Sequence, residues 1–571
     1  MLAIKGELAQ NIVQIIKKIN AQAELDEKTI LGMLEYPPDE KMGDIALPCF
    51  KLSRTLRMAP VKIAETIAAE LSMTAIKRIE AVNGYLNIYL DGEYLANKVI
   101  SEVSKKGNKY GAPTEMGKGR TVVLDYSSPN VAKPFHIGHL GTTVIGHSLK
   151  RLHEFAGYKC VGINYLGDWG TQFGKLITAY RKWGNAELIE QGGIDKLVEL
   201  YVKFHEEAEK DPALNDEARA EFRKLEDADE DNIKLWRWFV DISLAEYQKT
   251  YAQLDIEFDS YKGESFYTDK MPAQVQKLRD MGLLKIDDGA SIVDLEPYGM
   301  TPCLILKRDG STLYPTRDIA AAVYRKETYD FEKMIYVTSA GQSLHFAQWF
   351  KVVELMGYEW FDKLVHVPYG TVSINGEKLA TRTGNVILLR DLFAQAIAKV
   401  ASIMEEKNPN LEGKDKISEQ VGVGAIVFYY LSNNRIRDIN FMMEDALSFE
   451  GNTGPYVQYT YARTCSVLAK SPKINENDEL TITADEETAL LKTLSRFEEV
   501  VREAIDAYEP SVVTRYILDV AGAYNRFYHN CSILGAENDR VRNTRLAITN
   551  AANTVLGNAF GLICLAKTEK I

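Results

Sequence analysis

The stretch SPNVAKPFHIGHL, residues 128–140, concentrates groups that can bind a phosphate. His136 and His139 can donate hydrogen bonds to phosphate oxygens, and Lys133 supplies a full positive charge. Gly138 lies between the histidines and has no side chain, so a flat ring can approach the backbone closely there. The sequence contains no GxxxxGK[ST] motif, so we predict a phosphate site built without a Walker lysine.

The neighbouring residues predict that this stretch joins a strand to a helix. An apolar run at residues 122–124 precedes it, and apolar residues at helical spacing follow it. These are Leu140, Val144, Ile145, Leu149 and Leu152. A helix N-terminus offers unpaired N–H groups, and doubly wound sheets bind ligands beyond the carboxyl ends of their strands. We therefore expect the histidines at the ligand-binding edge of a sheet.

Two other interpretations of the histidines are available. Together with His147 and His153 they could form a metal cluster, but carboxylate or cysteine companions are lacking at ligand spacing. They could also be ordinary capping and packing residues, and the tetrapeptide HIGH alone leaves that interpretation open.

Apolar periodicity divides the 571 residues into several domains. Residues 1–110 alternate helical patterns with one β-like segment, IKRIEAVNGYLNIYL, and a Gly- and Lys-rich linker follows at 105–120. Residues 111–395 alternate strand-like and helical runs, which predicts an α/β domain with a doubly wound, parallel, Rossmann-like sheet. Its predicted strands are TVVLDYS, CVGINYLG, CLILKRDG, MIYVTSA and LVHVPYG.

Three further stretches are predicted to be helical. The charged segment at about 185–255 is expected to be an exposed helical insertion, interpreted as a solvated face without a function of its own. Residues 396–450 are predicted to be a helical connecting region, and residues 451–571 an all-α domain that follows the α+β N-terminal domain and the sheet domain. Thr483 and Glu486 form a capping-box pattern within that last domain.

Composition excludes some classes of protein. The six cysteines are scattered without a CxxC pair, which disfavours a disulfide framework and a zinc ribbon and indicates a reducing cytoplasm. No apolar stretch approaches the roughly 20 residues that a bilayer requires, and the N-terminus has the pattern of an amphipathic helix rather than a signal peptide. A net charge of −12 does not favour nucleic-acid binding on average, but a local basic face can coexist with it.

The stretch SSPNVAKPFHIGHL resembles the signature of class I aminoacyl-tRNA synthetases, and its long form resembles the arginyl version. Further matches follow in order: NYLGDWGTQFG, LYPTRDIAA, GQSLHF, NNRIRDINF and DALSFEGNTGPYVQYTYAR, while NGYLNIYL and PPDEKMGDIA match the family's extra N-terminal domain. The resemblance covers nearly the whole chain. It implies ATP-dependent activation of L-arginine to arginyl-adenylate, followed by transfer to the 3′-terminal adenosine of tRNA(Arg).

The resemblance also implies an arginine site. Asp125, Tyr314 and Asp318 are expected to hold the guanidinium, and Asn130 and Gln342 the amino and carboxylate ends. One helical turn separates Tyr314 from Asp318 and places both on the same side. A fork-shaped carboxylate site discriminates against lysine, by a factor on the order of 10⁴, because lysine leaves buried oxygens unpaired.

The same resemblance assigns the ATP contacts. His136, Gly138 and His139 are expected to meet the phosphates, and His345 is expected on the nucleotide side. Mg²⁺ is expected to accompany ATP, and no structural zinc is expected.

The second lysine motif of class I synthetases is altered here. Its counterpart is GEKLATRTGN, in which Lys378 matches the first lysine and Thr381 stands where the second should be. Lys133 or Arg382 is therefore expected to supply the missing cation. A plain β-hairpin around the Asn-Gly pair before Glu377 is the alternative interpretation of this stretch.

Contacts with tRNA are implied for both end domains. Tyr85 and Asn87 match positions that contact a D-loop base, although ordinary strand residues are the alternative. The helical C-terminal domain is expected to meet the anticodon. Candidate contacts there are Tyr456, Gln458, Tyr459 and Arg463, with a second aromatic and basic cluster at 524–529, and much of either cluster is open to interpretation as core.

Three competing interpretations follow from the same residues. A cysteinyl enzyme would share HIGH but should show a Cys/His zinc site for its substrate thiol. A non-catalytic RNA-binding relative would tolerate loss of His136, His139, Asp318 or Gln342, and all four are present. A small-molecule nucleotidyltransferase would not need the flanking domains. We expect a cytoplasmic monomer that does not bind membranes.

Overall fold

The computed structural model describes residues 1–378, 387–472 and 479–571. The strands are β1 Ile45–Pro48, β2 Ile76–Val82, β3 Tyr85–Leu90, β4 Thr121–Asp125, β5 Lys159–Ile163, β6 Leu284–Asp287, β7 Ala290–Val293, β8 Cys303–Leu306, β9 Lys333–Ser339, β10 Leu364–Tyr369, β11 Val372–Ile374, β12 Glu377–Lys378 and β13 Ile439–Phe441. The helices are α1 Leu2–Ile19, α2 Glu27–Met33, α3 Ser53–Leu56, α4 Pro60–Glu70, α5 Gly92–Lys106, α6 Thr114–Gly117, α7 Leu140–Phe155, α8 Thr171–Trp183, α9 Ala186–Lys210, α10 Ala213–Glu226, α11 Glu230–Gln253, α12 Met271–Asp280, α13 Tyr314–Tyr329, α14 Ser343–Leu355, α15 Leu389–Lys407, α16 Lys414–Leu431, α17 Met443–Ala446, α18 Gly454–Ala469, α19 Asp485–Ser495, α20 Phe497–Ala507, α21 Ser511–Asn530 and α22 Asp539–Leu562. Within these described ranges no helix is both long and apolar enough to span a bilayer.

The N-terminal domain has a three-stranded antiparallel sheet of order β1-β3-β2, on which α4 packs, and α1 packs on α2 and α4. Helix α5 packs instead on α19 and α22 of the C-terminal part. The predicted single β-like segment is in fact a hairpin, because Asn83 and Gly84 both adopt positive φ angles, 51° and 83°, and turn the chain. The predicted linker at 105–120 is also wrong. It contains the end of α5 and the whole of α6, and it is packed tightly, since a Cβ atom at Gly111 would overlap the ring of Phe497.

The central domain has the predicted doubly wound parallel sheet, with the strand order β10-β9-β4-β5. The run CLILKRDG is an exception to the prediction. It forms β8, which belongs to a separate antiparallel sheet of order β6-β7-β8. Only residues 294–302 join β7 to β8, which is too short for the dozen or more residues that a parallel crossover requires.

The charged insertion forms the helices α9, α10 and α11, as predicted. Its interpretation as a solvated face is wrong for α11, in which Phe239, Tyr247 and Tyr251 are buried. These side chains lie against the loop that carries the signature, described below.

The C-terminal part is helical, as predicted, with β13 as a short strand paired to β11. The capping box is displaced by one residue from the prediction. Glu487, not Glu486, accepts hydrogen bonds from the backbone N–H groups of Thr483 and Ala484. The carboxylate of Glu487 is fully buried and also pairs with Arg545 at 2.7 Å, which fixes the start of α19.

Candidate functional site

The signature lies in a strained loop between β4 and α7. Ser127, Ser128 and Ala132 have positive φ angles of 68°, 47° and 57°. Each such residue costs on the order of 1–3 kcal/mol and persists only where surrounding contacts over-determine it. The conformation of this loop therefore depends on its partners.

Helix α11 supplies many of those partners. Ser243, Tyr247 and Tyr251 follow at four-residue steps and face the loop. The hydroxyl of Ser243 accepts the N–H of Ala132 at 3.0 Å. The hydroxyl of Tyr247 lies 2.7 Å from two loop carbonyl oxygens, those of Asn130 and Lys133.

The third residue of this strip, Tyr251, is hydrogen-bonded to Ser127 Oγ at 2.8 Å and to the amide of Asn164 at 2.9 Å. Sequence reasoning missed the whole strip. The available signal was the recurrence of hydroxyl side chains at helical spacing in a charged segment.

The two signature histidines cap each other's backbone. Gly138 N–H donates to Nδ1 of His136 at 3.0 Å, and the N–H of His136 donates to Nδ1 of His139 at 3.2 Å. Burial lowers the pKa of His136 to about 4 and that of His139 to about 3, with Lys133 adding repulsion at both. Both rings are therefore neutral at pH 7. Because each Nδ1 accepts a hydrogen bond, the remaining proton is on Nε2.

The capping interpretation of the histidines is thus correct for their Nδ1 atoms, and it leaves both Nε2–H groups as donors. His147 and His153 are engaged elsewhere. His147 Nε2 accepts from Arg151 Nε at 3.0 Å, and His153 Nδ1 contacts the carbonyl oxygen of Leu149 at 2.7 Å.

After the lysine-motif counterpart, the described chain resumes at Ile387, which lies beside the signature. Ile137 N–H donates to the carbonyl of Ile387, and Leu389 N–H donates to that of Phe135. On its other side, β11 and β12 form a two-residue hairpin at Asn375 and Gly376, as the Asn-Gly pair predicts, and this leaves the predicted role of Lys378 open. The side chain of Lys378 and the residues Thr381 and Arg382 lie outside what the structure describes.

Acidic side chains surround the start of α13. Tyr314 is two-thirds exposed, and Asp318 Oδ2 lies 2.6 Å from Nε2 of His345. His345, predicted on the nucleotide side, therefore contacts a residue of the predicted arginine site. Glu264, which sequence reasoning missed, pairs with Arg317 at 2.7 Å.

Burial raises the pKa of Glu264 to about 7, and the charges of Asp318 and Asp168 add to the rise against the opposing effect of Arg317. Glu264 and Asp318 are thus electrostatic neighbours in one partly buried, acidic site. No local motif in the sequence marks Glu264, because its relation to Asp318 arises only in the folded chain.

Asp125 is placed differently from its prediction. Its Oδ2 is 2.8 Å from the guanidinium of Arg325, and its Oδ1 accepts the hydroxyl of Ser128 at 2.9 Å. Arg325 is 1% exposed and lies over the ring of Tyr165, 5.0 Å from its centroid. Direct contact between Asp125 and a substrate would require its carboxylate to exchange these partners.

The remaining predicted arginine ligands lie at the carboxyl edge of the sheet. Asn130 follows β4 and is exposed, and its close approach to Gly167 leaves no room for a Cβ atom there. Gln342 is exposed beyond the end of β9, the strand that pairs with β4. The fold therefore brings both residues to the edge where Asp125 ends its strand.

The N-terminal candidates for tRNA contact share one face of β3. Asn87 is 9% exposed, and Tyr85 is partly exposed. The ring of Tyr85 meets that of Phe50 edge to face at 5.5 Å, and Phe50 is itself 49% exposed. The predicted residue Tyr85 is therefore half of an aromatic pair of which Phe50 is the exposed member.

The C-terminal candidates divide into surface and core. Gln458 is wholly buried and donates to the carbonyl of Ala566 at 3.1 Å, which contradicts its predicted contact with tRNA. Tyr459 is exposed, and the guanidinium of Arg463 stacks between the rings of Tyr459 and Tyr528 at 5.0 and 4.9 Å.

Tyr456 is partly exposed and accepts a hydrogen bond from Asn525 at 2.9 Å. Within the second predicted cluster, Tyr524 and Phe527 are core residues. The surface of this region is therefore the stack around Arg463, with Tyr456 at its margin.

Comparisons with known proteins agree with this arrangement. Residues 99–443 match the family "tRNA synthetases class I (R), catalytic domain", residues 457–571 the "DALR anticodon binding domain", and residues 6–90 the "Arginyl tRNA synthetase N terminal domain". An arginine–tRNA ligase of Alkaliphilus metalliredigens is 49% identical over 96% of this chain and 97% of its own length. One from Clostridium perfringens is 47% identical, over 98% and 99%.

Among solved structures, the arginyl-tRNA synthetase of Thermus thermophilus superposes with a TM-score of 0.82 at 25% identity, covering 99% of each chain. These matches exclude the cysteinyl and nucleotidyltransferase interpretations and confirm the predicted fold and activity. The chain belongs to the arginine–tRNA ligases, class I aminoacyl-tRNA synthetases that activate arginine with ATP and transfer it to tRNA(Arg).

Proposed function

We propose that the guanidinium of L-arginine is held between Asp318 and Glu264, with the ring of Tyr314 beside it. This assignment rests on the adjacency of the carboxylates of Asp318 and Glu264, which the guanidinium would reach by joining or displacing their present partners, His345 at 2.6 Å and Arg317 at 2.7 Å. Arginine presents a planar fork of donors, and two carboxylates can accept from it together. Lysine, with a point charge, leaves part of that acceptor surface unpaired.

In this proposal Asp125 does not contact the substrate but acts through the residues that it holds. Its two oxygens hold Arg325 and Ser128, and Ser128 Oγ in turn accepts the N–H of Tyr165 at 3.1 Å. In this proposal Asp125 fixes the strained signature loop and the floor of the arginine site. Asn130 and Gln342 hold the amino and carboxylate ends of arginine.

The ATP phosphates are proposed to lie over the start of α7. His136 and His139 donate from neutral Nε2–H groups, the backbone at Gly138 allows close approach, and Lys133 supplies charge from the exposed rim. Lys378 and Arg382 are proposed to act on the pyrophosphate. Mg²⁺ would accompany ATP and neutralise phosphate charge.

The chemistry then follows from position and electrostatics. The arginine carboxylate attacks the α-phosphorus of ATP and pyrophosphate leaves. The 2′-OH of the terminal adenosine later attacks the carbonyl carbon of arginyl-adenylate, loses its proton, and AMP leaves. No side chain needs to form a covalent bond. The chain supplies alignment and fixed donors where negative charge develops.

We also propose that Tyr85 and Asn87 contact the D-loop, and that Tyr456, Tyr459 and Arg463 contact the anticodon arm. The exposed ring of Tyr459 and the partly exposed side chains of Tyr85, Tyr456 and Arg463 support these contacts, whereas Asn87 is 9% exposed and would have to become accessible. We further propose that the protein is a cytoplasmic monomer.

Pyrophosphate exchange tests the arginine site directly. Each of the twenty amino acids is supplied with ATP, with and without tRNA(Arg), to wild type and to Asp318→Asn, Glu264→Gln and Asp125→Asn. We expect exchange with arginine when tRNA is present. Asp318→Asn and Glu264→Gln should raise the KM for arginine by one to two orders of magnitude, whereas the KM for ATP should stay unchanged.

Asp125→Asn separates direct from indirect roles. A rise in its KM for arginine equal to that of Asp318→Asn would show direct binding by Asp125. Loss of kcat with little change in KM would support its proposed role in holding the loop. Exchange with another amino acid would overturn the whole assignment.

A further inference from the structure

The segment LGDWG, residues 166–170, lies between the signature loop and the turn that carries Glu264. On one side, the backbone of Gly167 exchanges two hydrogen bonds with the signature loop, at 3.1 and 3.2 Å. On the other side, the carbonyl oxygen of Leu166 accepts the N–H of Glu264 at 2.9 Å. One short segment therefore contacts both the proposed phosphate site and a proposed arginine ligand.

The carboxylate of Asp168, in the middle of this segment, is directed at the Glu264 turn. Asp168 is 5% exposed. Its Oδ1 accepts the N–H of Ser265 at 2.8 Å, and its Oδ2 accepts the hydroxyl of the same serine at 2.7 Å. Hydrogen bonds to a carboxylate are roughly twice as strong as those between neutral groups. They fix the residue that directly follows Glu264.

The approach of Asp168 to this turn leaves no room for a side chain at Gly263. A Cβ atom at Gly263 would lie 2.5 Å from Asp168 Oδ1. The φ angle of Gly263 is −82°, which other residues also adopt, so the neighbouring carboxylate and not the backbone requires glycine here. Trp236 of α11 in turn holds the backbone of Asp168, because its Nε1–H donates to the Asp168 carbonyl oxygen at 2.7 Å.

The side chain of Glu264 is held by a different element. It pairs with Arg317 of α13 at 2.7 Å, and the exposed fractions of the two side chains are only 15% and 12%. Asp318, the other proposed ligand of the guanidinium, is the next residue of α13. Because Glu264 and Asp318 belong to different elements, the place of the Glu264 turn sets the separation of their carboxylates.

We propose that Asp168 is a positioning residue for arginine binding, whose carboxylate sets where Glu264 lies relative to Asp318 without contacting the substrate. This inference rests on the proposed binding of the guanidinium by Glu264 and Asp318. A planar fork of donors needs its acceptors at fixed positions, and a displacement on the order of 1 Å is enough to weaken such a site. The signature loop is held by the backbone of Gly167, which a change in the Asp168 side chain leaves in place.

The KM for arginine, measured by pyrophosphate exchange at saturating ATP and tRNA(Arg), is the decisive quantity. Asp168→Ala should raise it roughly tenfold, while kcat and the KM for ATP stay within about twofold of wild type. Asp168→Asn should stay within about threefold, because its amide oxygen can accept the Ser265 N–H and its NH₂ can donate to the Ser265 hydroxyl. Ser265→Ala removes one of the two hydrogen bonds and should raise the KM about threefold. It replaces Asp168→Ala in the test if that variant does not fold.

A double-mutant cycle with Glu264→Gln distinguishes positioning from a general loss of structure. If Asp168 acts through the carboxylate of Glu264, adding Asp168→Ala to Glu264→Gln should change the KM for arginine by less than about twofold. A full tenfold rise in the Glu264→Gln background would show that Asp168 acts by another route and would overturn the proposal.

Asp44 of the N-terminal domain offers the matched control. Its side chain is 7% exposed and accepts the backbone N–H of Leu90 at 2.7 Å, far along the chain. Asp44→Ala should lower the unfolding midpoint without changing the KM for arginine.

The remaining outcomes separate this inference from the proposed function. A wild-type KM for arginine in Asp168→Ala, or in Ser265→Ala where the former does not fold, would overturn the positioning role. Equal rises in the KM for arginine and the KM for ATP would also overturn it, because they indicate general damage to the site. A wild-type KM for arginine in Glu264→Gln would instead refute the proposed arginine site on which the inference rests.

Discussion

Tyr247→Phe removes one hydroxyl from α11 and tests whether the insertion positions the signature loop. That hydroxyl lies 2.7 Å from the carbonyl oxygens of Asn130 and Lys133, on either side of the left-handed residue Ala132. The phenylalanine ring fills the same space, so packing against Phe135 is kept.

The size of the effect follows from those two contacts. The hydroxyl has one proton, so its loss removes one hydrogen bond shared by two carbonyls. A buried acceptor left without its donor costs about 1–3 kcal/mol. The loop already holds three residues in left-handed conformations, so we expect this loss to shift it away from the active conformation. Since about 1.4 kcal/mol corresponds to a factor of ten, exchange should fall roughly 5- to 150-fold.

The assay is arginine-dependent pyrophosphate exchange at saturating tRNA, with the thermal unfolding midpoint measured in parallel. Tyr180→Phe is the matched control, because its ring packs against Phe239 of α11 and its hydroxyl makes no hydrogen bond in the described part of the chain. Wild-type exchange by Tyr247→Phe, or an equal loss in the control, would refute the positioning role.

Three further outcomes are expected. The KM for arginine should rise as pH falls below about 7, by at most tenfold per pH unit, because Glu264 must lose its proton to bind a guanidinium. This pH dependence should vanish in Glu264→Gln. His136 and His139 should not contribute to it, since burial lowers their pKa values to about 4 and 3. Lys133→Ala should lose exchange rate without a change in unfolding midpoint, because Lys133 is exposed, and near-wild-type turnover would refute its role as the replacement cation. Arg545→Met should lower the unfolding free energy by about 3–5 kcal/mol in denaturant titrations, because it removes the ion-pair partner of the fully buried Glu487, and a loss below 1 kcal/mol would contradict this.

The sequence predicted those features that depend on neighbouring residues. The apolar residues of α7 are buried because, at three- and four-residue steps, they share one face of the helix, and the HIGH tetrapeptide lies between strand β4 and that helix. The Asn-Gly pair before Glu377 predicted a hairpin because both residues tolerate positive φ. Such features need only a few neighbouring residues.

The sequence did not reveal partners that are distant along the chain. Gln458 was wrongly predicted to contact tRNA because its side chain is buried against the carbonyl of Ala566, and the pairing of Asp125 with Arg325 was not predicted. CLILKRDG has the composition of a buried strand, but its short connection to β7 decides which sheet it joins. On α11 the many charged residues conceal a buried face, because composition averages over both sides of a helix.

The ring of His139 has a structural role and a proposed chemical role, and substitutions can separate the two. Its Nδ1 accepts the N–H of His136 at 3.2 Å, while its Nε2–H is the donor proposed to meet phosphate. Asparagine places an acceptor near the position of Nδ1 and nothing near Nε2. Glutamine is longer and places a donor near Nε2 but leaves the cap unmade.

His139→Asn should therefore unfold like wild type and lose exchange by about 10²–10³-fold, the usual cost of one donor at developing negative charge. His139→Gln should lose about 1 kcal/mol of unfolding free energy with the cap and retain more exchange than His139→Asn. If the asparagine variant exchanges pyrophosphate at the wild-type rate, the histidine only caps the helix. Phosphate stabilisation would then rest on His136 and Lys133, and the Nε2 proton of His139 would have no role in exchange.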